Sequence, residues 1–267
     1  MNQVAGHRPG PFTLDSLVSD LRALGLVAGD TVLVHSSLSA IGYVAGGAQA
    51  VVLALLDVIG TEGTLVVPTH SGDLSDPSRW ENPPVPEAWW PVIRASMPAF
   101  DARLTPTRMM GIIPEVVRHL PGASRSMHPA VSFCAVGPNA TTITSEHGLA
   151  FGFGELSPLA RLYDLSARIL LLGVGHDRNT SLHLAEFRVH QDHQVIKQGA
   201  PMVVNGEREW VTFDTLDYDT DDFAEAGVAA GEMGIEQVGK VGAATARLLS
   251  QPRLVDFAAV WFSTNRT

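Results

Sequence analysis

Apolar residues recur at helical spacing at Leu14, Leu17, Val18, Leu21 and Leu24, behind a Thr13 suited to an N-cap and ahead of a Gly25 suited to a helix end. This spacing predicts a first helix. After the Gly29-Asp30 turn, the β-branched run Thr31–Val34 predicts a strand that ends at His35-Ser36-Ser37. Gly46-Gly47 opens a second helical pattern, Ala48 to Ile59, and Gly60 to Gly63 turns the chain into another buried strand, Thr64–Pro68. Strand, helix, strand in this order is the sequence form of a parallel βαβ unit, so the predicted class is α/β, with polar residues gathering at strand ends.

The rhythm breaks over residues 70–106, which carry prolines at 77, 83, 84, 86, 91, 98 and 106 and tryptophans at 80, 89 and 90. A long loop of this kind reads as a functional lid. Its aromatic and acidic residues, Trp80 with Asp73, Asp76, Glu81 and Asp101, suit a cationic, sugar-like ligand. Met110–Leu120 then predicts a helix, Ala130–Val136 and the very apolar Ile169–Val174 predict strands, and Thr180–His190 predicts a helix. Met202–Val204, Asn205-Gly206 and Glu209–Phe213 form a β-hairpin signature with a two-residue turn. Asp217, Asp219, Asp221 and Asp222 precede a helix rich in Ala and Gly, and Leu254–Phe262 predicts mixed strand and helix. The expected architecture is a single α/β domain over residues 1–267. Its central, largely parallel sheet is flanked by helices, with the Pro/Trp-rich lid at 70–106 and a C-terminal hairpin and helix region.

Composition narrows the function classes. A chain of 267 residues, 45% hydrophobic, can bury one substantial core. The stretch Met1 to Pro11 has no apolar core of the secretion-signal kind, so a cytoplasmic protein without a membrane anchor is expected. The one cysteine, Cys134, lies in an apolar run, which excludes an internal disulfide and disfavours a cysteine zinc site. A net charge of −10 with only 18 Lys and Arg argues against nucleic acid and fits a polycationic small-molecule partner.

Two segments carry the strongest candidate chemistry. His35-Ser36-Ser37 ends a strand, where α/β folds present ligand-binding groups, although serines there also satisfy local backbone. The segment from Gly173 to Glu186 runs from a buried strand through a glycine turn into a helix start, and places Glu186 three residues after His183 on the same face. An imidazole steadied by a carboxylate can take a proton from an amine near neutral pH. The same segment also offers His176, Asp177, His183, Glu186 and His190 as metal donors, but it lacks a His-Glu-x-x-His spacing, and no metal is expected. Thr105-Pro106-Thr107-Arg108 is a helix-start signal that could contact an anionic cofactor, and His128 precedes a strand, where a lone histidine is most often structural. Neither a Gly-x-Ser-x-Gly elbow nor a phosphate loop occurs, nor the pyrophosphate signature of the GNAT acetyltransferases.

Taken together, His35-Ser36-Ser37, Val67-Pro68-Thr69, Thr105-Pro106-Thr107-Arg108, His128-Pro129 with Ser132-Phe133, Ser157-Pro158 and the run Leu172 to Glu186 resemble the aminoglycoside 3-N-acetyltransferases. The resemblance spans about residues 13 to 262. It implies transfer of an acetyl group from acetyl-CoA to the 3-amino group of a 2-deoxystreptamine ring, by direct attack of the amine without an acyl-enzyme. It assigns the base role to His183, with Glu186 as orienting partner, and puts His35, Ser36, Ser37, Leu38, Thr107 and Arg108 near the cofactor. Asp217 and Asp219 match acidic positions of the family, whereas Asp73, Asp76 and Glu81 are drug-binding candidates by charge and place on the lid. Some members carry His where this chain has Glu155, which stands both as a substrate-side candidate and as an alternative partner for His183. The resemblance leaves open a homodimer and acetylation of another amine. The residues alone leave open a metal-dependent amidohydrolase built on His176, Asp177 and His183, and a non-catalytic binding protein.

Overall fold

The computed structural model describes residues 10–81, 83–189 and 194–266. The N-terminal third follows the hydrophobic pattern closely. Helix α1 (Leu14–Ala23) starts where the Thr13 side chain accepts from the Ser16 amide and the Ser16 hydroxyl accepts from the Thr13 amide, a reciprocal cap. Strand β1 (Thr31–Ser36), the single turn α2 (Leu38–Ile41), α3 (Gly47–Ile59) and β2 (Thr64–Pro68) complete the βαβ unit. Downstream come α4 (Trp90–Ser96), α5 (Ile112–Arg118), β3 (Ser124–Arg125), β4 (Phe133–Val136), α6 (Ala140–Thr144), α7 (Pro158–Asp164), β5 (Arg168–Leu172) and α8 (Ser181–Arg188). The chain closes with β6 (Val195–Val204), β7 (Glu207–Leu216), α9 (Phe223–Glu232), β8 (Glu236–Val241), β9 (Ala244–Ser250) and α10 (Gln251–Asn265).

The main sheet has the order β3-β4-β2-β1-β5-β9-β8. Its centre, β2-β1-β5, is parallel, and the flanking strands pair antiparallel. Alternate residues of the central strands enter two cores. Val32, Val34, Leu170 and Leu172 pack with α1, α3 and α5, while Leu33, Val66, Ile169 and Leu171 pack with residues of α6 to α10. Burial on both faces explains why these strands read as unbroken apolar runs. It also sends their polar continuations, His35-Ser36, Thr69-His70 and Gly173 onward, to one end of the sheet, where open α/β sheets bind ligands.

Several expectations change in detail. Helix α5 runs only from Ile112 to Arg118, because Gly111 enters with φ of 81°. β4 begins at Phe133 rather than Ala130, β5 stops at Leu172 before the left-handed Gly173, and α8 occupies Ser181–Arg188 of the expected helix. The hairpin is far longer than its signature. Ten residues pair on each side of Asn205-Gly206, both at positive φ as a tight primed turn requires. The 70–106 stretch is not bare loop; it holds two 3₁₀ turns and α4, and the hairpin anchors it through Phe100 N–H to Pro201 O at 3.0 Å and Arg208 to Met97 O at 3.0 Å. Leu254–Phe262 is wholly helical, inside α10. The hydrophobic pattern predicts nothing over residues 236–250, yet β8 and β9 stand there. β8 is a sheet-edge strand with polar, largely exposed residues, and so it has no buried stripe to read. No helix among the described residues is long and apolar enough to cross a membrane.

Candidate active site

The richest segment of the sequence leaves β5 at the left-handed Gly173, makes a 3₁₀ turn over His176–Arg178 and enters α8, with the Asn179 side chain accepting from the Ser181 amide at 3.2 Å. One helical turn then brings His183 Nδ1 to 3.1 Å from Glu186 Oε2. The other oxygen of Glu186 accepts from Arg266 Nη1 and from the Asp219 amide, both at 2.8 Å, and Asp222 takes the rest of the Arg266 fork at 2.6 and 2.8 Å. Glu186 is therefore a buried carboxylate with both oxygens occupied, facing the imidazole. A carboxylate on Nδ1 selects the tautomer with the proton on that nitrogen and leaves the lone pair on Nε2. Among the described residues nothing hydrogen-bonds Nε2.

Aromatic rings fix the plane of this imidazole. Phe153 stacks on it at 4.4 Å and 9°, and Tyr218 and Phe223 meet it edge-on, each at 4.9 Å. The residue keeps only 8% of its surface exposed. Residues that touch it line two cavities. One, of about 550 Å3, lies at the carboxyl ends of the parallel strands and is walled by His35, Ser36, His70, Arg108, Arg178 and Thr180. The other, of about 180 Å3, lies under the hairpin and is walled by His128, Phe153, Gln198, Phe213, Thr215 and Tyr218.

Of the candidates near the cofactor, His35, Ser36 and Arg108 line the larger cavity. His35 lies within 3.3 Å of the Thr180 hydroxyl, and burial, reinforced by His176 and His183, pushes its pKa down to about 3, so the ring is neutral at pH 7. The Ser36 hydroxyl is buried and without a partner among the described residues. Ser37 caps the loop by its amide to Leu172 O and pairs with Ser39, while Leu38 packs against the core beneath α1 and α3. The Thr107 amide is held by Glu115 at 2.9 Å, and Arg108 donates its amide to His70 O while its guanidinium meets Asp73 at 3.3 Å.

The acidic candidates scatter. Asp76 caps the first 3₁₀ turn and takes both forks of Arg94. Glu155 gives both oxygens to Arg188, at 2.7 and 3.0 Å, so the carboxylate in contact with His183 is Glu186 and not Glu155. Glu81 and Asp217 are exposed, and Asp219 reaches the centre through its main chain, donating to Glu186 and accepting from Arg266. The metal reading has no cluster to stand on among the described residues: His176 pairs with Glu236, Asp177 with Arg178 and His183 with Glu186, while His190 lies outside those residues. Burial lifts the Cys134 thiol to about 12, which makes it an inert core residue.

Sequence reasoning missed Arg266, Phe153, Tyr218 and His70. Arg266 is 80 positions from its partner Glu186, and nothing local signals the pairing. Phe153 had a faint signal in its flanking glycines: a side chain at Gly152 would strike His128, and one at Gly154 would strike Phe187.

Relatives of known name share this frame. The family model of the aminoglycoside 3-N-acetyltransferases matches residues 33–263. The SPbeta prophage-derived aminoglycoside N(3')-acetyltransferase-like protein YokD of Bacillus subtilis (strain 168) is 48% identical over 99% of this chain and 97% of its own. Its crystal structure matches with a TM-score of 0.94, at 49% identity over 96% of this chain and 95% of that one. Aminoglycoside N(3)-acetyltransferase IX of Micromonospora chalcea is 38% identical over 96% of this chain and 95% of its own. Two further solved structures carry ligands. AAC-IIIb in binary complex with CoASH matches with a TM-score of 0.85, at 29% identity over 96% of this chain and 97% of its own. AAC-VIa bound to sisomicin matches with a TM-score of 0.86, at 30% identity over 96% of this chain and 98% of its own. With most of its length matched by the family model and relatives well above 30% identity across nearly the whole chain, the protein belongs to the aminoglycoside 3-N-acetyltransferase family.

Proposed function

We propose that this protein transfers the acetyl group of acetyl-CoA to the 3-amino group of a 2-deoxystreptamine aminoglycoside, with His183 as general base. The observation that carries the reading is the His183–Glu186 pair at 3.1 Å, whose second imidazole nitrogen has no hydrogen-bond partner among the described residues, beside residues that line two cavities. The amine nitrogen attacks the thioester carbonyl carbon, the C–S bond breaks, and the nitrogen's proton passes to Nε2 and on to the departing thiolate. Glu186, anchored by Arg266, stabilises the imidazolium that forms in between. No side chain needs to be acylated.

The larger cavity suits the acetyl-CoA: it opens at the ends of the parallel strands, carries the guanidinium groups of Arg108 and Arg178, and holds an unpartnered Ser36 hydroxyl. A relative crystallised with CoASH supports this, and one bound to sisomicin supports an aminoglycoside acceptor. The net charge of −10 favours encounter with a polycation, and exposed Asp217 and Asp219 lie beside the centre. Residues 70–106 act in this reading as the lid over the cofactor cavity, with Asp73 and Arg108 at its edge. The test is thiol release from acetyl-CoA by the purified protein across a panel of aminoglycosides, with product mapping. Acetylation at the 3-amino position is expected; turnover of other amines alone would overturn the acceptor assignment.

A further inference from the structure

His70 stands two residues past the end of β2, and three backbone hydrogen bonds fix its stretch. Thr69 N–H reaches Ser132 O at 2.9 Å, Ser71 N–H reaches Ala130 O at 2.8 Å, and the His70 carbonyl accepts from Arg108 N–H at 2.7 Å. The ring stands edge-on to Phe133 at 5.2 Å and against Phe153 at 5.5 Å. Phe153 is the ring stacked on His183, so His70 and His183 are separated by one aromatic ring. His70 also walls the larger cavity, and its Nε2 is buried with no hydrogen-bond partner among the described residues.

One other side-chain atom in that wall is in the same condition, the hydroxyl of Ser36. An unpartnered buried polar atom costs about 1–3 kcal/mol, so two of them on one cavity call for a ligand group that satisfies both. A hydroxyl is a donor, and so is His70 Nε2 in the tautomer that carries its proton there; the thioester carbonyl oxygen of an acyl donor accepts two hydrogen bonds and donates none. We propose that His70 Nε2–H and Ser36 Oγ–H together grip the thioester carbonyl oxygen of the acyl donor and carry the negative charge that builds on it as the amine attacks. This assignment rests on the acetyl-CoA reading of the cavity, but not on which amine is the acceptor. Burial, reinforced by the imidazoles of His183, His35, His128 and His147, drives the His70 pKa well below 6.5, so the ring stays neutral through the working pH range and acts as a hydrogen-bond donor rather than an acid. The arrangement separates two tasks across Phe153: His183 handles the proton, and His70 the oxygen.

The experiment compares wild type with His70→Phe, which keeps an aromatic ring but removes the donor, and His70→Gln, whose amide nitrogen falls near the place of Nε2. Steady-state rates are read with whichever amine the panel identifies, and CoA and acetyl-CoA affinities by calorimetry. His70→Phe is expected to lower kcat roughly 100-fold, the size of effect seen when one oxyanion donor is removed. CoA affinity should stay within about threefold, and His70→Gln should recover about tenfold of the loss. A kcat for His70→Phe within about threefold of wild type overturns the assignment, as does an equal loss of CoA affinity and kcat. If His70→Phe does not fold, Ser36→Ala carries the test: an unchanged kcat there removes the two-donor grip. In the double variant the losses should fall short of additive, because both groups serve one oxygen. If no amine at all is turned over, the antibiotic reading fails by itself, and the same variants are read on slow acetyl-CoA hydrolysis, which develops charge on the same oxygen.

Discussion

Two histidine–carboxylate pairs start from histidines seven residues apart, His176 on the loop that links β5 to α8 and His183 within α8, and both close at 3.1 Å. His176 gives Nε2 to Glu236 and takes the Asn179 amide on Nδ1 at 3.3 Å, so both its nitrogens are used. Its ring is wedged against Gly227, where any side chain would collide with it. Among the described residues His183 uses only Nδ1, and residues that touch it line both cavities. The lesson is that a His–Glu contact alone does not mark a base. What distinguishes the two is the unspent lone pair and the space beside it. His176 ties α9 and the β8 edge to the loop and so positions α8, whereas His183 is the residue positioned.

Breaking the comparison at its active member should give the largest effect. His183→Ala is expected to lower kcat at least ~100-fold with little change in CoA affinity, as for loss of a general base; steady-state kinetics with calorimetry decide it, and a nearly unchanged rate would remove His183 from the mechanism. Glu186→Gln should lower kcat at least ~10-fold and also destabilise the fold by about 2 kcal/mol, since Arg266 then loses a buried anion but retains Asp222. Urea unfolding and rate measurements on the same preparation test both halves. His176→Ala should show the opposite balance, with about 2–3 kcal/mol of stability lost and kcat within about threefold. A rate loss without a stability loss would make His176 a participant and erase the distinction.

A pH series sharpens the comparison from another side. His35 and His128 titrate at about 3 and His147 at about 4 because burial disfavours their charged forms, against about 6.5 in an unfolded chain. Below pH 6.5 the unfolded state therefore binds more protons than the folded one, and stability falls as the pH drops from 6.5 toward 4. Each ring contributes up to about 1.4 kcal/mol per pH unit. Urea midpoints between pH 7.5 and 4.5 should show this slope, and a flat profile would mean that these rings are already charged in the fold. The smallest effect belongs to Glu155→Ala. Its pair with Arg188 is half exposed, so less than about 1 kcal/mol and no change in kcat are expected. A tenfold rate loss would instead bring Glu155 back as a partner of the centre.

Much of this was legible in one dimension. The apolar runs of β1, β2 and β5 and the caps and glycines around α1 and α3 specify the parallel centre of the sheet, because burial on both faces leaves no freedom in those residues. The His183–Glu186 contact was legible too, since residues three apart on a helix are neighbours whatever the rest of the chain does. The edge strand β8 was not, because an exposed strand held by its partner's backbone needs no hydrophobic alternation of its own. Nor was the division among the acidic residues. Asp76, Glu155 and Asp222 are neutralised by Arg94, Arg188 and Arg266, partners that only the packed chain supplies. The sequence by itself determined the class of fold and the local pair at its chemical centre, both products of short-range periodicity. The tertiary structure decided which imidazole nitrogen stays free, that Arg266 anchors Glu186 from the far end of the chain, and that His70 shares the cavity wall with Ser36, because each depends on contacts between segments whose distance along the chain carries no signal.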